Sequence, residues 1–370
     1  MADSLTIMTV VGARPQFIKA AVVSRLAAAV DGAREILVHT GQHYDENMSS
    51  LFFEELSIPE PEHHLEIGSG HHGAQTGAML EAIERLILDD RPDWVLVYGD
   101  TNSTIAGALA AAKLHVPVAH VEAGMRSFNR AMPEELNRVL TDHLSTLNLT
   151  STDTATRNLG VEGIGDSRIV QVGDVMYDAA RFYSSQLADT DAVLSELGVK
   201  PGGFILATLH RAENTDVPTR LAALVEAFEV LGKEHRIILP LHPRTRKMLE
   251  RSGDLGRLES SVSVHEPMGY LEMITLEREA SLVMTDSGGV QKEAFFHGTP
   301  CVTLRDETEW VELVESGWNR IVPPLDSMSI IEGVSAAIGT RGDPVEPYGD
   351  GHAGERIMEA LAGVHARVQA

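Results

Sequence analysis

Cysteine, aromatic residues and positive charge are all scarce in this chain of 370 residues. Its one cysteine, Cys301, cannot form an internal disulfide, and this favours a reducing compartment. No run of about 18 apolar residues is present to span a bilayer, and the opening residues lack the basic-then-apolar layout of a signal peptide. We therefore expect a cytoplasmic protein that does not enter a membrane.

The charge balance excludes whole classes of partner. Lysine and arginine number 30 against 54 aspartates and glutamates, which gives a formal net charge of −24. Such a chain repels nucleic acid and anionic lipid, and no cluster of cations offsets the repulsion. We expect no nucleic-acid or membrane partner, and any anionic ligand must be held by a few focused cations.

Short β-branched runs alternate with longer amphipathic segments, a pattern typical of βαβ units on parallel sheets. The chain is long enough for two domains, each with its own core. The predicted fold is α/β, with two doubly wound Rossmann-like domains facing across a cleft. The predicted domains are residues 1–180 and 181–350, joined through a polar stretch at 181–203. A C-terminal helix is predicted at 351–370 and could pack on either domain.

The predicted strands divide between the two halves of the chain. Those of the first half lie near residues 5–11, 35–38, 94–98, 118–121, 146–149 and 168–172. Those of the second half lie near residues 204–208, 236–240, 262–265, 282–284 and 301–304.

Ligands of open parallel sheets bind beyond the carboxyl ends of the strands, so the residues that follow each strand are the candidates for a site. After the first strand the chain reads TVVGARPQFIKAA, which places Arg14 and Lys19 at the start of a helix. Cations there oppose the helix dipole. A bound dianion would resolve that conflict, and we prefer this interpretation to a solvated face.

The stretch TDSGGVQKEA is a second candidate for anion binding. Ser287, Gly288 and Gly289 lie between a predicted buried strand and a helix, so their backbone N–H groups could surround phosphate oxygens. Glu293, just inside the helix, could accept hydrogen bonds from a ribose. The alternative is a plain glycine-containing turn with a serine N-cap.

Three carboxylates, Asp100, Glu122 and Glu134, come from the acidic end of the first half. Paired carboxylates can divide general acid and general base work when their environments push their pKa values apart. The structural alternatives are an N-cap for Asp100 and, for Glu122 and Glu134, ion pairs with Arg126 or Arg138.

Histidines provide the remaining candidates. His210 and Arg211 follow the first strand of the second half, and His242 follows the next, which is typical of a cleft. The adjacent histidines at 63–64 and 71–72 cannot readily share one tetrahedral site, so we expect no metal. The letters GSGHHG at 68–73 match a dinucleotide pattern but follow a polar lead-in, and we therefore expect no NAD and no other cofactor.

Taken in order, the segments GARPQFIK, TGQH, GDTNST, HVEAGMRS, PEELNR, HRAEN, HPRT, TDSGGVQKEA and RDETEW resemble the non-hydrolysing UDP-N-acetylglucosamine 2-epimerase family. The resemblance spans residues 12 to about 318. It implies a glycosyltransferase-B-like fold and a homodimer. It also implies a UDP-sugar substrate, whose UDP is eliminated to give 2-acetamidoglucal and then added back after reprotonation.

The resemblance also assigns roles. Catalytic positions would be Asp100, Glu122, Glu134 and His210. The substrate-binding positions it implies are Arg14, Lys19, Arg211, His242, Ser287, Gly288, Gly289 and Glu293.

Three departures from the family pattern bear on the substrate. Gln16 stands where many members have glutamate, and Trp310 stands in place of an arginine that the resemblance implies as an anion contact, so more than one sugar fits the pattern. The variant resembles the subgroup that includes epimerases of UDP-2,3-diacetamido-2,3-dideoxyglucuronic acid. Asp45 replaces a glutamine of the substrate-activated bacterial enzymes, which argues against an allosteric UDP-GlcNAc site.

The first hypothesis is therefore a cofactor-independent epimerase that interconverts UDP-GlcNAc and UDP-ManNAc. The same fold could instead support a glycosyltransferase, a hydrolysing epimerase, or a UDP-sugar sensor without turnover. The carboxylates and the histidine together favour proton chemistry over glycosyl transfer and over a sensor, and they do not distinguish a hydrolysing from a non-hydrolysing epimerase.

Overall fold

The structure is a computed structural model that describes residues 5–42, 56, 58–187 and 190–369. Of Arg14 and residues 366–369 it describes the backbone alone. The chain divides into two compact units, where unit 1 comprises Met1–Ala179 with Glu346–Ala370 and unit 2 comprises Ala180–Val345. The sequence had placed these boundaries after residues 180 and 350. Within the described residues, no helix is both long and apolar enough to cross a membrane.

Unit 1 contains a seven-stranded parallel sheet of order β3-β2-β1-β4-β5-β6-β7. Its strands are β1 Leu5–Val11, β2 Ala33–His39, β3 His63–His64, β4 Trp94–Tyr98, β5 Val118–Ala123, β6 Leu147–Thr150 and β7 Ile169–Gln171. Its helices are α1 Arg14–Ala29, α2 His72–Asp90, α3 Asn102–Lys113, α4 Pro133–Leu144, α5 Asp153–Val161, α6 Val175–Gln186, which runs on into unit 2, and α16 Ala353–Gln369. A 3₁₀ turn at Asp166–Arg168 precedes β7.

Unit 2 contains a six-stranded parallel sheet of order β10-β9-β8-β11-β12-β13. Its strands are β8 Ile205–Thr208, β9 Ile237–Pro240, β10 Ser263–His265, β11 Leu282–Thr285, β12 Cys301–Thr303 and β13 Asn319–Ile321. Its helices are α7 Thr190–Glu196, α8 Ala212–Thr215, α9 Pro218–Leu231, α10 Pro243–Ser252, α11 Leu255–Ser261, α12 Tyr270–Glu279, α13 Gly288–Phe296, α14 Val311–Glu315 and α15 Ser327–Ala337.

The central strands are apolar over their whole length because helices cover both faces of each sheet. In unit 1, β4 is buried at every position, and the alanines of α3 let that helix approach the sheet closely. In unit 2, leucines and valines of α9 pack on β8 and β9. Burial of this apolar surface is the main force that holds each unit together.

The fold confirms the predicted class of two doubly wound parallel sheets, with differences in detail. Two edge strands were not predicted, β3 and β13, because each is short and carries histidine or arginine rather than an apolar run. The stretch at 181–203, predicted as a polar crossing, includes the end of α6 and all of α7. Leu194 of α7 is buried in unit 2 and Val193 packs against the same cluster, so two apolar side chains anchor this polar helix.

Each sheet has one point where the strand order reverses, which we call its switch point. In unit 1 this point lies between β1 and β4, and in unit 2 it lies between β8 and β11. Loops from adjacent strands there lead to opposite faces of the sheet and leave a crevice at the carboxyl ends. The segments that follow these four strands contain Arg14, Asp100, His210 and Ser287.

Candidate functional site

The junction of β1 and α1 is held in place by Gln16, which is 2% exposed. Its side-chain oxygen accepts hydrogen bonds from the backbone N–H groups of Gly12 (2.9 Å) and Ala13 (3.0 Å). Its side-chain nitrogen lies 2.7 Å from the carbonyl oxygen of Tyr98, at the end of β4. Gly12 itself passes so close to Thr40 that a Cβ would lie 2.1 Å from its hydroxyl. Gln16 therefore ties together the two strand ends at the unit 1 switch point.

Lys19 lies one turn into α1, and its ammonium forms an ion pair with Glu122. Both side chains are about nine-tenths buried, with relative exposures of 9% and 12%. Glu122 has a left-handed backbone (φ 69°) at the irregular end of β5, where the register shifts. Such a strained conformation in a non-glycine residue aims the side chain away from the strand's normal direction.

Asp100, just after β4, receives two hydrogen bonds from Arg138 of α4, at 2.9 and 2.6 Å. Its side chain remains 31% exposed. The N-cap of the following helix is Thr101, which accepts from the N–H of Thr104, so the N-cap alternative for Asp100 is wrong. Asp100 instead forms an ion pair with Arg138, which had not been predicted for it. The predicted ion-pair alternative concerned Glu122 and Glu134, and Glu122 pairs with Lys19.

Two neighbouring glutamates of α4 have different environments. Glu135 is buried and accepts hydrogen bonds from the N–H groups of Ser127 and Phe128, both at 2.9 Å. Arg138 also contacts Glu135, at 3.0 Å. Glu134 is half-buried and makes no hydrogen bond or ion pair with the described residues. Of the two, Glu134 is the carboxylate that remains available to a ligand.

A buried charged network lies behind these groups. His120 of β5 bridges the carbonyl oxygen of Gly99 and the carboxylate of Asp142, with both contacts at 2.7 Å. Asp142 also pairs with Arg126 at 2.7 Å, and Arg126 forms a two-pronged pair with Glu162. Arg126 is therefore engaged by these acids, whereas Glu122 pairs with Lys19. The network fixes Gly99 and hence the position of Asp100.

In unit 2 the buried carboxylate of Asp286 organises the segment that follows β8. It accepts hydrogen bonds from the backbone N–H groups of His210 (3.1 Å) and Arg211 (3.0 Å) and from the side-chain amide of Asn214 (3.1 Å). The Nδ1 atom of His210 lies 3.3 Å from Asp286. A carboxylate at Nδ1 favours the tautomer whose Nε2 is a free acceptor. The geometry thus orients a histidine that can take up a proton.

The surroundings of His210 keep its ring neutral. Loss of hydration lowers its pKa from the usual 6.5, and although Asp286 opposes this effect, the charges of Arg211, Arg305 and Arg244 lower the pKa further. The side chain is nevertheless 40% exposed, so a ligand can reach it. A neutral, accessible imidazole is the form required of a general base.

The turn between β11 and α13 places Ser287, Gly288 and Gly289 at a helix N-terminus. The N–H of Ser287 is bonded to Thr285, at 2.9 Å, and Gly288 and Gly289 begin the helix. A Cβ at Gly288 would lie 4.0 Å from the guanidinium of Arg211, so this cation flanks the turn. Backbone donors beside an arginine form a site that suits phosphate oxygens.

Two further predicted residues lie nearby. His242 is the exposed N-cap of α10, where its Nδ1 accepts from the N–H of Arg244, and its ring lies 6.1 Å from that of His210. Glu293 is 6% exposed in the second turn of α13. Its charge contributes to raising the pKa of Tyr270, after the larger effect of burial.

Some predictions fall on residues that the structure does not describe. Asp45 and the histidine of TGQH lie outside the described residues, and of Arg14 only the backbone, which begins α1, is described. In the described part of the chain, no three histidines, cysteines, aspartates or glutamates are arranged to hold a metal ion.

Several residues that shape the site were not singled out from the sequence. They are Glu135, His120, Asp142 and Asp286, and Arg138 was named only as a possible ion-pair partner of Glu122 or Glu134. The quoted motifs contained all of these residues except Asp142. A buried charged residue can be recognised only from its partner, and these partners are distant in sequence. Asp100 and Arg138, for example, are 38 residues apart.

Known proteins match the chain over nearly its whole length. A family model described as UDP-N-acetylglucosamine 2-epimerase matches residues 27–362. A UDP-2,3-diacetamido-2,3-dideoxy-D-glucuronate 2-epimerase of Pseudomonas aeruginosa is 53% identical over 362 residues, which cover 97% of this chain and 99% of that protein. A UDP-N-acetylglucosamine 2-epimerase of Methanocaldococcus jannaschii is 43% identical over 370 residues, which cover 95% and 97% of the two chains.

Solved structures agree with these matches. The crystal structure of the Methanocaldococcus jannaschii UDP-GlcNAc 2-epimerase in complex with UDP-GlcNAc and UDP superposes with a TM-score of 0.90 at 42% identity, covering 97% of this chain and 99% of that one. That of the Neisseria meningitidis enzyme bound to UDP-GlcNAc gives a TM-score of 0.89 at 29% identity, covering 97% and 100%. These matches confirm the predicted family and its glycosyltransferase-B-like fold. The chain belongs to the UDP-N-acetylglucosamine 2-epimerase family, whose members are isomerases.

Proposed function

We propose that this protein is a non-hydrolysing 2-epimerase that interconverts UDP-GlcNAc and UDP-ManNAc. The observation that carries the proposal is the gathering of His210, Arg211 and the Ser287–Gly289 turn around buried Asp286. This group combines a proton acceptor with donors for a diphosphate. The proposal is supported by the family and by relatives whose substrate is UDP-GlcNAc.

The unit 2 residues are suited to the leaving group. When the bond between C1 and the diphosphate oxygen breaks, UDP carries away the bonding electrons, and negative charge grows on its phosphates. The N–H groups of Gly288 and Gly289 are fixed by the helix, and the backbone of Arg211 is held beside them by Asp286, so these groups stabilise that charge with little reorganisation. Glu293 is proposed to accept the ribose hydroxyls, and His242 to line the same site.

The unit 1 residues are suited to proton transfer at C2. A base removes the C2 proton as UDP leaves, which forms the C1=C2 double bond of 2-acetamidoglucal. Reprotonation on the other face and return of UDP to C1 complete the inversion, so atoms and charge balance. Asp100, Glu122 and Glu134 are the proposed acid and base groups. Arg14 is proposed to contact the diphosphate, and Lys19 to act near the sugar phosphate.

A labelling experiment tests this chemistry. With UDP-GlcNAc in deuterated water, both epimers should gain deuterium at C2, because the proton exchanges with solvent in the intermediate. Stoichiometric free ManNAc and UDP would indicate a hydrolysing epimerase instead, and UDP release only with an added acceptor would indicate a glycosyltransferase. Tight binding without exchange would leave a UDP-sugar sensor.

Matched variants locate the chemistry. Asp100→Asn and His210→Asn should each lower the exchange rate by at least about a hundredfold, the usual contribution of a positioned acid or base. Asp306→Asn is the control, since Asp306 pairs with Arg220 on the exposed surface. Full activity in either test variant would remove that residue from the mechanism.

A second substrate is favoured by a specific observation. The relative that acts on UDP-2,3-diacetamido-2,3-dideoxy-D-glucuronate is 53% identical, and this chain has Trp310 where many members have arginine. Parallel labelling reactions with both sugars decide between them. If only the diacetamido sugar exchanges deuterium, that sugar rather than UDP-GlcNAc is the substrate. If neither sugar exchanges, the epimerase proposal is refuted.

We further propose that the protein is a homodimer. The outer face of α4 exposes Leu136 (40%) and Leu140 (53%), and Phe128 just before the helix is 75% exposed. Large apolar side chains grouped on one helix face are typical of a surface that a second copy covers. The family resemblance supports the same assembly.

A further inference from the structure

The indole of Trp310 supports the glycine turn of unit 2 from within the protein. Its Nε1–H donates a hydrogen bond of 2.9 Å to the carbonyl oxygen of Gly288. Trp310 is only 5% exposed, so this bond is shielded from competing water.

This bond reinforces the direction in which the next N–H points. In a planar trans peptide the C=O and the N–H point in opposite directions. The carbonyl of Gly288 and the N–H of Gly289 belong to one peptide group. Helical geometry points the Gly288 carbonyl into α13 and the N–H of Gly289 out of the helix N-terminus, and Trp310 holds the carbonyl in that direction. Polarisation of the carbonyl by its donor also strengthens that N–H as a donor.

Lys292, one turn further along α13, adds charge to the same arrangement. Its ammonium lies 3.9 Å from the centre of the Trp310 ring, and the side chain is 1% exposed. A desolvated cation on the face of an indole is held by the ring's negative quadrupole. Trp310 thus joins a buried positive charge to the turn.

The position of Trp310 is itself fixed by polar contacts. The backbone N–H of Trp310 donates a hydrogen bond to the hydroxyl of Thr308 at 3.2 Å. That hydroxyl donates to the side-chain oxygen of Gln291 in α13 at 2.7 Å. Asn319 donates to the same oxygen of Gln291, at 3.0 Å. The segment that contains Trp310 is therefore bound directly to the helix whose N-terminus it supports.

We infer that Trp310 is a positioning residue for the diphosphate: it aims the Gly289 N–H at a phosphate oxygen without touching the ligand. The inference rests on the proposed UDP-binding role of unit 2 and adds to it a residue in the place where many relatives have arginine. In this chain an indole N–H acts on the anion through the backbone.

The test compares ligands with and without phosphates. Trp310→Phe keeps a ring over Lys292 but removes the donor, and Trp310→Met removes the donor and the ring. Binding of UDP and of uridine is measured by titration calorimetry and by saturation-transfer NMR. Loss of one aligned hydrogen bond should weaken UDP binding about fivefold to tenfold and leave uridine binding unchanged.

Trp318→Phe is the matched control, since its indole N–H also donates to a backbone carbonyl, that of Asp343, at 2.8 Å. It should leave both affinities unchanged. If Trp310→Phe does not fold, the ratio of the two affinities in Trp310→Met decides. An unchanged ratio in a folded Trp310 variant would overturn the inference alone. A wild-type protein that does not bind UDP would overturn the proposed function as well.

Discussion

The side chain of Gln16 shows how one residue can shape a site without presenting any group to it. It satisfies two backbone N–H groups that follow β1 and reaches the end of β4, all within the buried crevice. The same amide nitrogen lies 3.0 Å from the hydroxyls of Thr101 and Thr104. Glutamine in place of glutamate therefore changes how the ends of β1 and β4 are held together, and it does not change a direct contact with the sugar.

Two substitutions of Gln16 should separate the contribution of its side-chain oxygen to stability from that of its side-chain nitrogen. Gln16→Leu leaves the N–H groups of Gly12 and Ala13 buried without an acceptor, so the free energy of unfolding should fall by about 2–4 kcal/mol. Gln16→Glu keeps that acceptor and should lose less. Urea denaturation of the three proteins checks this. Equal stability of the leucine and glutamate variants would contradict the assigned role.

At this scale the sequence predicted which residue types gather at the strand ends but not which of them pair. Lys19 and Arg14 were both predicted to face an anion, and the structure places the ammonium of Lys19 against Glu122. A cation and a carboxylate from different elements look alike in sequence whether they pair or bind a ligand. Their roles as ligand contacts remain predictions.

Among the elements, α4 has two distinct faces. Its inner face includes Glu135 and Arg138, whose buried contacts hold the loop before it and Asp100. Its outer face exposes Leu136 and Leu140, four residues apart on the same side of the helix. One short helix thus connects the candidate site with the surface proposed for dimer formation.

Leu140→Asp tests that surface. A charge in the centre of an apolar interface should shift the protein from dimer to monomer, measured by size-exclusion chromatography with light scattering. Val161→Asp is the control, because Val161 is 88% exposed at the end of α5. The proposal fails if the wild-type protein is monomeric or if Leu140→Asp leaves the dimer intact.

The reliability of the predicted elements followed their burial. The ends of strands such as β4 and β11 were predicted to within a residue or two, because a short apolar run between turn residues usually forms a buried strand. The edge strands β3 and β13 have no such run, since a strand with one free side needs little apolar surface. Their pairing depends on neighbouring strands, which no local pattern reveals.

For the molecule as a whole, buried histidines link stability to pH in both units. Burial, and then the charge of His64, lower the pKa of His39 in unit 1 to about 4. Burial, and then the charge of Arg278, lower the pKa of His297 in unit 2 to about 4. In an unfolded chain a histidine titrates near its ordinary value of about 6.5.

These shifts predict acid destabilisation between about pH 6.5 and pH 4. In that window the unfolded chain binds protons that the folded chain excludes, so stability falls as pH falls. The 1% exposed His39 alone should cost unit 1 about 2 kcal/mol at pH 5 relative to neutral pH.

His39→Phe should remove most of that loss, since a phenyl ring can retain the packing on Phe17, whose ring centre lies 5.1 Å away, and does not titrate. Hydrogen exchange of peptides from β1 and β2, followed at pH 7.5 and pH 5, with intrinsic exchange rates corrected for pH, reports the stability of unit 1. The wild type should lose protection at pH 5 and the variant should keep more of it. An equal loss in both would mean that protonation of other groups, rather than of His39, limits the acid stability of this unit.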